Sequence, residues 1–252
     1  MKRCKLFGVK TVVSHMEEAV SYVRKNKERL KGKYVSFANV HTTVTAKEEK
    51  EFRKVQNEAA LVMPDGKPLS FVMKKRGYEE AEQIAGPDFM KRMWEVTAES
   101  QEESHYFYGA SEETIAALEE KLKTQYPNLK IAGMESPPYR ELTEEEKEAA
   151  VQRINESGAD YLWVGLGAPK QEYWMNEHKG KIHAVMFGVG AAFNFHAGTI
   201  KRAPKWMQKC YLEWFYRILQ DPGRLWKRYA VTNAKFILMV IGYGINGLRR
   251  KQ

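Results

Sequence analysis

Between residues 34 and 189, short apolar runs alternate with longer stretches whose apolar residues recur at helical spacing. Tyr34–Val40 (YVSFANV) reads as a buried strand ending in a polar loop, and Ala60–Met63 (ALVM) as a second ending in the turn Pro64-Asp65-Gly66. His105–Tyr108, Leu129–Ala132, Asp160–Gly165 and Ile182–Val189 extend the series of strands. Between them, Ala46–Ala60, Gly86–Ser104, Ser111–Gln125, Thr143–Ser157 and Gln171–His178 predict helices. Two of these carry start signals. Ser111 precedes Glu112 and Glu113, and Thr143 with Glu146 spells a capping box. Strands separated by helices of about 10 to 15 residues need crossover connections, hence a parallel sheet in an α/β domain.

In an open α/β sheet, ligands bind beyond the carboxyl ends of the strands. The loops expected there are Asn39–Thr43, Asp65-Gly66, Gly109–Ser111, Gly133–Arg140, Gly165–Glu172 and Gly188–Asn194. Each candidate within them has a plain structural reading beside the chemical one. Asp65 in Pro64-Asp65-Gly66 fits an ordinary turn, and equally a carboxylate facing the cleft as a general base. Asn39 with Thr42 and Thr43 can orient sugar hydroxyls; Thr42 or Thr43 can instead simply cap a helix. His41 alone reads as a structural histidine. In Gly165-Leu166-Gly167-Ala168-Pro169-Lys170-Gln171-Glu172, two glycines admit a ligand to the backbone, and Pro169 opens a helix whose first N–H groups can receive an anion. The same string also fits a plain strand-to-helix loop. Lys170 stands where a dinucleotide fingerprint needs its third glycine, which weakens an NAD-dependent, nucleotide-sugar-modifying alternative. No DxD, HExxH, GxSxG or P-loop string occurs, and the six histidines are scattered, so no metal ligands are expected.

Charge divides the chain in two. Residues 196–252 carry 12 Lys/Arg against Glu213 and Asp221, a balance of +10, which leaves residues 1–195 at −1. This basic segment also holds Trp206, Tyr211, Trp214, Phe215, Tyr216, Trp226, Tyr229, Phe236 and Tyr243. Cations interleaved with aromatics suit a diphosphate or an anionic membrane surface. Arg224, Lys227 and Arg228 share one helical face, with Arg217 near the end of the preceding helix; the bland reading is a solvated face. The pI near 9.3 also admits a nucleic-acid-binding protein, but no helix-turn-helix or RRM string is present, and no nucleic-acid partner is expected. Two lone cysteines, Cys4 and Cys210, point to a reducing compartment. The N-terminal apolar run is too short for a signal peptide. Phe236–Ile245 (FILMVIGYGI) is too short to cross a bilayer but suits its surface.

Eight strings in order along the chain carry a resemblance: SFANVHTTV (Ser36–Val44), MPDGKPL (Met63–Leu69), GPDFM (Gly86–Met90), YPNLKIAG (Tyr126–Gly133), SPPYR (Ser136–Arg140), INESGADYLWVGLGAPKQEYWM (Ile154–Met175), GVGAAFNFHAGTIKRAPKWMQ (Gly188–Gln208) and LEWFYRILQDPGRLWKRY (Leu212–Tyr229). As a set they resemble the WecG/TagA/CpsF glycosyltransferases of bacterial surface polysaccharide synthesis. The resemblance implies a Rossmann-like core over residues 1–195 and a helical, membrane-associating appendage over residues 196–252. It implies inverting transfer, independent of metal or other cofactor, from a UDP-sugar to a polyprenyl-diphosphate-linked acceptor, with N-acetylmannosamine the best-known donor sugar. The setting implied is the cytoplasmic face of the plasma membrane, peripherally, with self-assembly as a further expectation that no heptad specifies. Residue by residue, Asp65 matches the base. Asn39, Thr42, Thr43, Gly66, Gly109, Gln171 and Asn194 fall in the substrate loops. Arg217, Arg224 and Lys227 or Arg228 match the appendage cations that close on the diphosphate. Asn194 stands where many members have Asp, and Phe37 where many have Thr.

Overall fold

The computed structural model describes the backbone of residues 1–249, with their side chains apart from those of residues 209, 224 and 243–249. A hairpin of β1 (Arg3–Leu6) and β2 (Val9–Val12) opens the chain, turning at Phe7-Gly8, both at positive φ. Helices α1 (Met16–Lys25) and α2 (Lys27–Leu30) lead into β3 (Tyr34–Ala38), followed by α3 (Val40–Glu48) and α4 (Lys50–Glu58). Next come β4 (Leu61–Pro64), α5 (Lys67–Lys75), α6 (Gly86–Ser100), β5 (Ser104–Gly109) and α7 (Glu112–Gln125). Then follow β6 (Lys130–Glu135), α8 (Glu144–Glu156), β7 (Tyr161–Gly165), α9 (Lys170–Glu177) and β8 (Val185–Gly188). The chain ends in α10 (Ala192–Ala197), α11 (Lys205–Lys209), α12 (Glu213–Gln220) and α13 (Pro222–Arg249).

Among the described residues, β3 to β8 form one sheet in the order β4-β3-β8-β7-β5-β6, with every neighbouring pair parallel. The α/β, Rossmann-like expectation holds. The chain moves from β3 outward to β4, returns across the sheet to β5 and β6, then fills inward with β7 and β8. That reversal opens a crevice at the carboxyl ends of β3 and β8. Both sheet faces are covered, which is why β3 is buried at every position. One core packs the hairpin, α4, α8 and α9 through Phe52, Ile154, Met175 and Met186. The other packs α1, α6, α7 and α10 through Val20, Phe89, Trp94, Leu118 and Phe193.

Capping side chains fix the starts of α3, α7 and α8. Ser111 Oγ accepts from Thr114 N at 3.3 Å. Thr143 Oγ1 accepts from Glu146 N at 3.3 Å, and Glu146 Oε2 returns the bond to Thr143 N at 2.9 Å, completing the expected box. Two expectations need correction. The single helix Ala46–Ala60 is two, because Glu49 is extended (φ −103°, ψ 112°) and redirects α4 onto β2 and α9. The helix expected over Gly86–Ser104 stops at Ser100, where Gln101 takes the left-handed conformation.

The basic tail is docked on the body. Phe236 of α13 meets Phe7 edge-on at 5.6 Å, and Lys235 Nζ lies 2.6 Å from Glu48 Oε1 of α3. Arg202 ties the tail to α6: its Nη2 is 2.9 Å from Asp88 Oδ2, while its Nε is 3.1 Å from Glu213 Oε1. α10 runs across residue 195 with Phe193 and Ala197 buried, and Gly198 at positive φ is where the chain leaves the body. No helix among the described residues is long and apolar enough to cross a membrane.

Candidate active site

One cleft of about 2260 Å³ lies over the carboxyl ends of the strands and under the tail. Its floor comes from the loops expected from the sequence: Asn39 after β3, Asp65 and Gly66 after β4, Ala110 and Ser111 after β5, Ser136 to Leu142 after β6, Gly165 to Ala168 with Lys170 and Gln171 around the end of β7, and Gly188 to Ala192 with Asn194 around the end of β8. Its roof is Arg202, Trp214 and Arg217 with Arg228, Tyr229 and the residues that follow on α13.

Asp65 is fixed by its backbone. Its N–H and that of Gly66 both donate to Ala38 O, at 2.8 and 3.3 Å, which locks the loop after β4 against the end of β3. Its carboxyl accepts one bond, from Gly86 N at 3.2 Å. Part of the residue still faces the cleft, but burial of the carboxyl, with Glu213 and Asp88 nearby, pushes its pKa up to about 7. The Gly86 amide and the Arg202 guanidinium oppose that rise. A carboxylate poised near neutrality at the bottom of a cleft is suited to taking a proton from an alcohol.

Asn39 serves two ends. Its Oδ1 accepts from Thr42 N at 3.1 Å and its own N–H donates to Thr42 Oγ1 at 2.9 Å, so Asn39 is the cap of α3 and also lines the cleft. Thr42 and Thr43, candidates for both cap and ligand contact, are buried and line no part of the cleft, because the reciprocal box turns them inward. Gly109 likewise stays off the cleft wall. Its φ is +133°, and a side-chain carbon at this position would lie only 2.6 Å from Gly165 C, so glycine here permits the close pairing of β5 and β7.

Gln171 lies buried at the start of α9. Its Nε2 donates to Gly188 O at 2.9 Å and to Glu172 Oε1 at 3.2 Å, while its Oε1 is buried with no partner among the described residues, at the edge of the cleft. Glu172 is fully buried, and burial pushes its pKa up to about 7. Asn194 donates from Nδ2 to Thr114 Oγ1 and Thr199 Oγ1, both at 3.2 Å. As an amide it can make those donations, which a carboxylate there could not.

The cations separate. Arg217 and Arg228 line the cleft, the first with its guanidinium 5.2 Å from the Phe195 ring centroid. Lys227 is exposed and lines no part of it, being one residue round the helix from Arg228. The Arg224 side chain falls outside the described residues. Among the described residues, no three His, Cys, Asp or Glu side chains gather as a set of metal ligands. Sequence reasoning missed Arg202, whose partners Asp88 and Glu213 lie 114 and 11 residues away with no periodic signal. It also missed the aromatic wall of Tyr108 and Trp174, stacked at 5.0 Å, since one lies within an expected strand and the other within an expected helix with nothing to mark them.

The family model of the "Glycosyl transferase WecG/TagA/CpsF family" matches residues 4–250. The chain belongs to that glycosyltransferase family. Among curated relatives, the N-acetylglucosaminyldiphosphoundecaprenol N-acetyl-beta-D-mannosaminyltransferase of Bacillus subtilis (strain 168) is 28% identical over 238 residues, covering 94% of this chain and 90% of the relative. The protein of the same name from Bacillus spizizenii (strain ATCC 23059 / NRRL B-14472 / W23) is 30% identical over 230 residues, covering 91% and 84%. The family and the enzyme class expected from the sequence therefore agree with these matches, and the strand-end loops that suggested them meet at the cleft described above.

Proposed function

We propose that this glycosyltransferase moves N-acetylmannosamine from a UDP-sugar to a sugar carried on a polyprenyl diphosphate, with inversion and without a metal. Asp65 takes the proton from the acceptor hydroxyl. That oxygen attacks C1 of the donor sugar on the face opposite UDP, the bond from C1 to the phosphate oxygen breaks, and UDP departs with the electron pair. Charge builds on the leaving diphosphate, and Arg217 with the amides of the strand-end loops offsets it. Asn39 and Gln171, whose buried Oε1 lacks a partner among the described residues, orient sugar hydroxyls or the acetamido N–H. The observation that carries this reading is Asp65: a carboxylate held near neutral pKa on the floor of a cleft whose roof carries Arg202, Arg217 and Arg228.

The same tail supplies the site's route to its lipid substrate. Trp206, Phe215, Leu219, Trp226, Ile237, Leu238 and Ile241 are all exposed on it, among basic side chains. That composition suits peripheral docking on the anionic cytoplasmic membrane face, with roughly 1 kcal/mol per basic contact. Lys201 and Lys205 belong to this surface; the Lys209 and Arg249 side chains, Arg250 and Lys251 lie outside the described residues. A screen of UDP-sugars against a lipid-diphosphate-linked N-acetylglucosamine acceptor, read by UDP release and product mass with and without EDTA, tests the proposal. Transfer of N-acetylmannosamine unaffected by EDTA is expected. Abolition by EDTA, restored by a divalent ion, would overturn the metal-free reading, and absence of any transfer would overturn the reaction.

A further inference from the structure

Two buried nitrogens at the cleft wall, His41 Nδ1 and Arg228 Nε, lack hydrogen-bond partners among the described residues. Both line the cleft where α13 lies along α3. Burial and the facing Arg228 charge hold the His41 imidazole below its usual range. A neutral ring beside a guanidinium, each with an unsatisfied buried nitrogen, is costly unless something anionic arrives to accept from both.

Beyond Arg228, the same side of α13 turns apolar. Ile237, Val240 and Ile241 line the cleft at helical intervals, and Phe71 of α5 contributes to the same cavity. From Arg228 to Ile241 the wall runs about 20 Å at 1.5 Å per residue. Ile237, Ile241 and Phe71 are each about half exposed, so this wall opens to the outside. Arg217, on α12, lies against Phe195 of α10. Of these two cleft cations, Arg228 is the one carried on the helix that continues into the apolar wall.

We propose that His41 and Arg228 hold the diphosphate of the lipid-linked acceptor, and that Ile237, Val240, Ile241 and Phe71 receive its first isoprene units. This rests on the transfer proposed above and assigns one end of it. A UDP diphosphate at that station would place a polar nucleoside against an apolar wall, leaving its groups unpaired. A prenyl diphosphate matches both halves.

The test uses farnesyl diphosphate and UDP as probes, titrated into the full-length protein by calorimetry. Wild type is expected to bind farnesyl diphosphate with UDP already saturating. Arg228→Gln and His41→Ala should each weaken farnesyl diphosphate at least tenfold while changing UDP affinity less than twofold, the retained UDP binding showing that the fold is intact. Arg228→Lys, which keeps the charge but loses the Nε donor, should fall between. Ile237→Ser/Ile241→Ser should weaken farnesyl diphosphate about tenfold and leave inorganic diphosphate unchanged. Displacement of farnesyl diphosphate by UDP, or variants that weaken UDP as much or more, would overturn the assignment. A wild type that binds both probes together yet transfers no sugar would instead overturn the proposed reaction and leave this site standing.

Discussion

Replacing Asp65 by Asn removes the charge that burial opposes while keeping nearly the same shape, so it separates catalysis from stability. The folded-state pKa of about 7 lies above the ordinary carboxylate value of 3.8. Between these values the folded protein holds a proton that the unfolded chain has released. Stability from this group is therefore greatest in acid and declines as pH rises from about 4 to about 7. Between pH 5 and pH 8 the ionisation of Asp65 costs wild type up to about 3 kcal/mol, taking roughly 1.4 kcal/mol per pKa unit. The cleft admits solvent, and screening reduces that to roughly 1 to 2 kcal/mol. Asn carries no such cost. Its advantage over wild type should grow from pH 5 to pH 8, by about 3 to 6 °C in Tm for a chain of this size.

Glu172 is also held near pKa 7 by burial and lowers stability over the same pH range. It does so in both proteins, so the difference between their melting curves isolates Asp65. The assay is thermal unfolding of wild type and Asp65→Asn at pH 5, 6, 7 and 8, paired with transfer rates. Activity should fall at least about 10²-fold, as expected for loss of a general base. In wild type, kcat/KM should rise with pH to about 7 and then level. A Tm difference independent of pH would refute the buried-carboxylate argument. Near-normal turnover by Asp65→Asn would refute its role as base.

Other consequences follow from the roof of the cleft. Arg217→Ala should lower kcat about 10²-fold, as loss of a transition-state charge partner does, whereas exposed Lys227→Ala should leave it within about twofold; steady-state kinetics on both variants check this. Arg202→Met leaves Asp88 and Glu213 unneutralised beside Asp65, so the acid limb of the pH–rate profile should move upward by about 0.5 to 1 unit. Leu238→Asp/Ile241→Asp should reduce sedimentation with phosphatidylglycerol vesicles while leaving UDP binding intact, and raised salt should weaken what attachment remains.

The body was legible because its signals are local and repeated. Apolar runs such as Asp160–Gly165, capping residues such as Ser111 and Thr143, and strand-end loops each announce themselves within a few residues. These sufficed to place Asp65, Asn39, Gln171 and Asn194 around one cleft. The order of strands was not legible, since nothing in Val185–Gly188 states that it slots between β3 and β7; that is decided by packing on both faces. The β1–β2 hairpin escaped notice because each strand has only four residues and too little alternation to register. Thr42 and Thr43 were misplaced because one residue of helical phase separates a cleft position from a core position. Lys227 and Arg228 differ for the same reason, and only the docking of α13 on α3 decides which of them looks inward. His41 read as structural because its significance lies in Arg228, 187 positions further on.

The tail does more than deliver cations, and removing it should change the base itself. Glu213, on the tail, raises the Asp65 pKa more than Arg202 lowers it, second only to burial. Deletion after Gly198 takes away Glu213, Arg202 and the roof together, leaving Asp88 as the remaining acidic neighbour on α6. The largest acidic contribution to Asp65 is then gone, and its pKa should fall toward the ordinary carboxylate range. A carboxylate so relaxed is a poorer base for a sugar alcohol, independently of any lost contact to a diphosphate. The truncated body should therefore stay folded and lose transfer, and the stability difference between it and its Asp65→Asn variant should flatten between pH 5 and pH 8. If that difference kept the full-length slope, the body alone would be tuning the base and the tail would act only through substrate. If it vanishes, docking of the tail sets the basicity of Asp65, and the enzyme gains its reactive carboxylate only when the roof that binds substrate is in place.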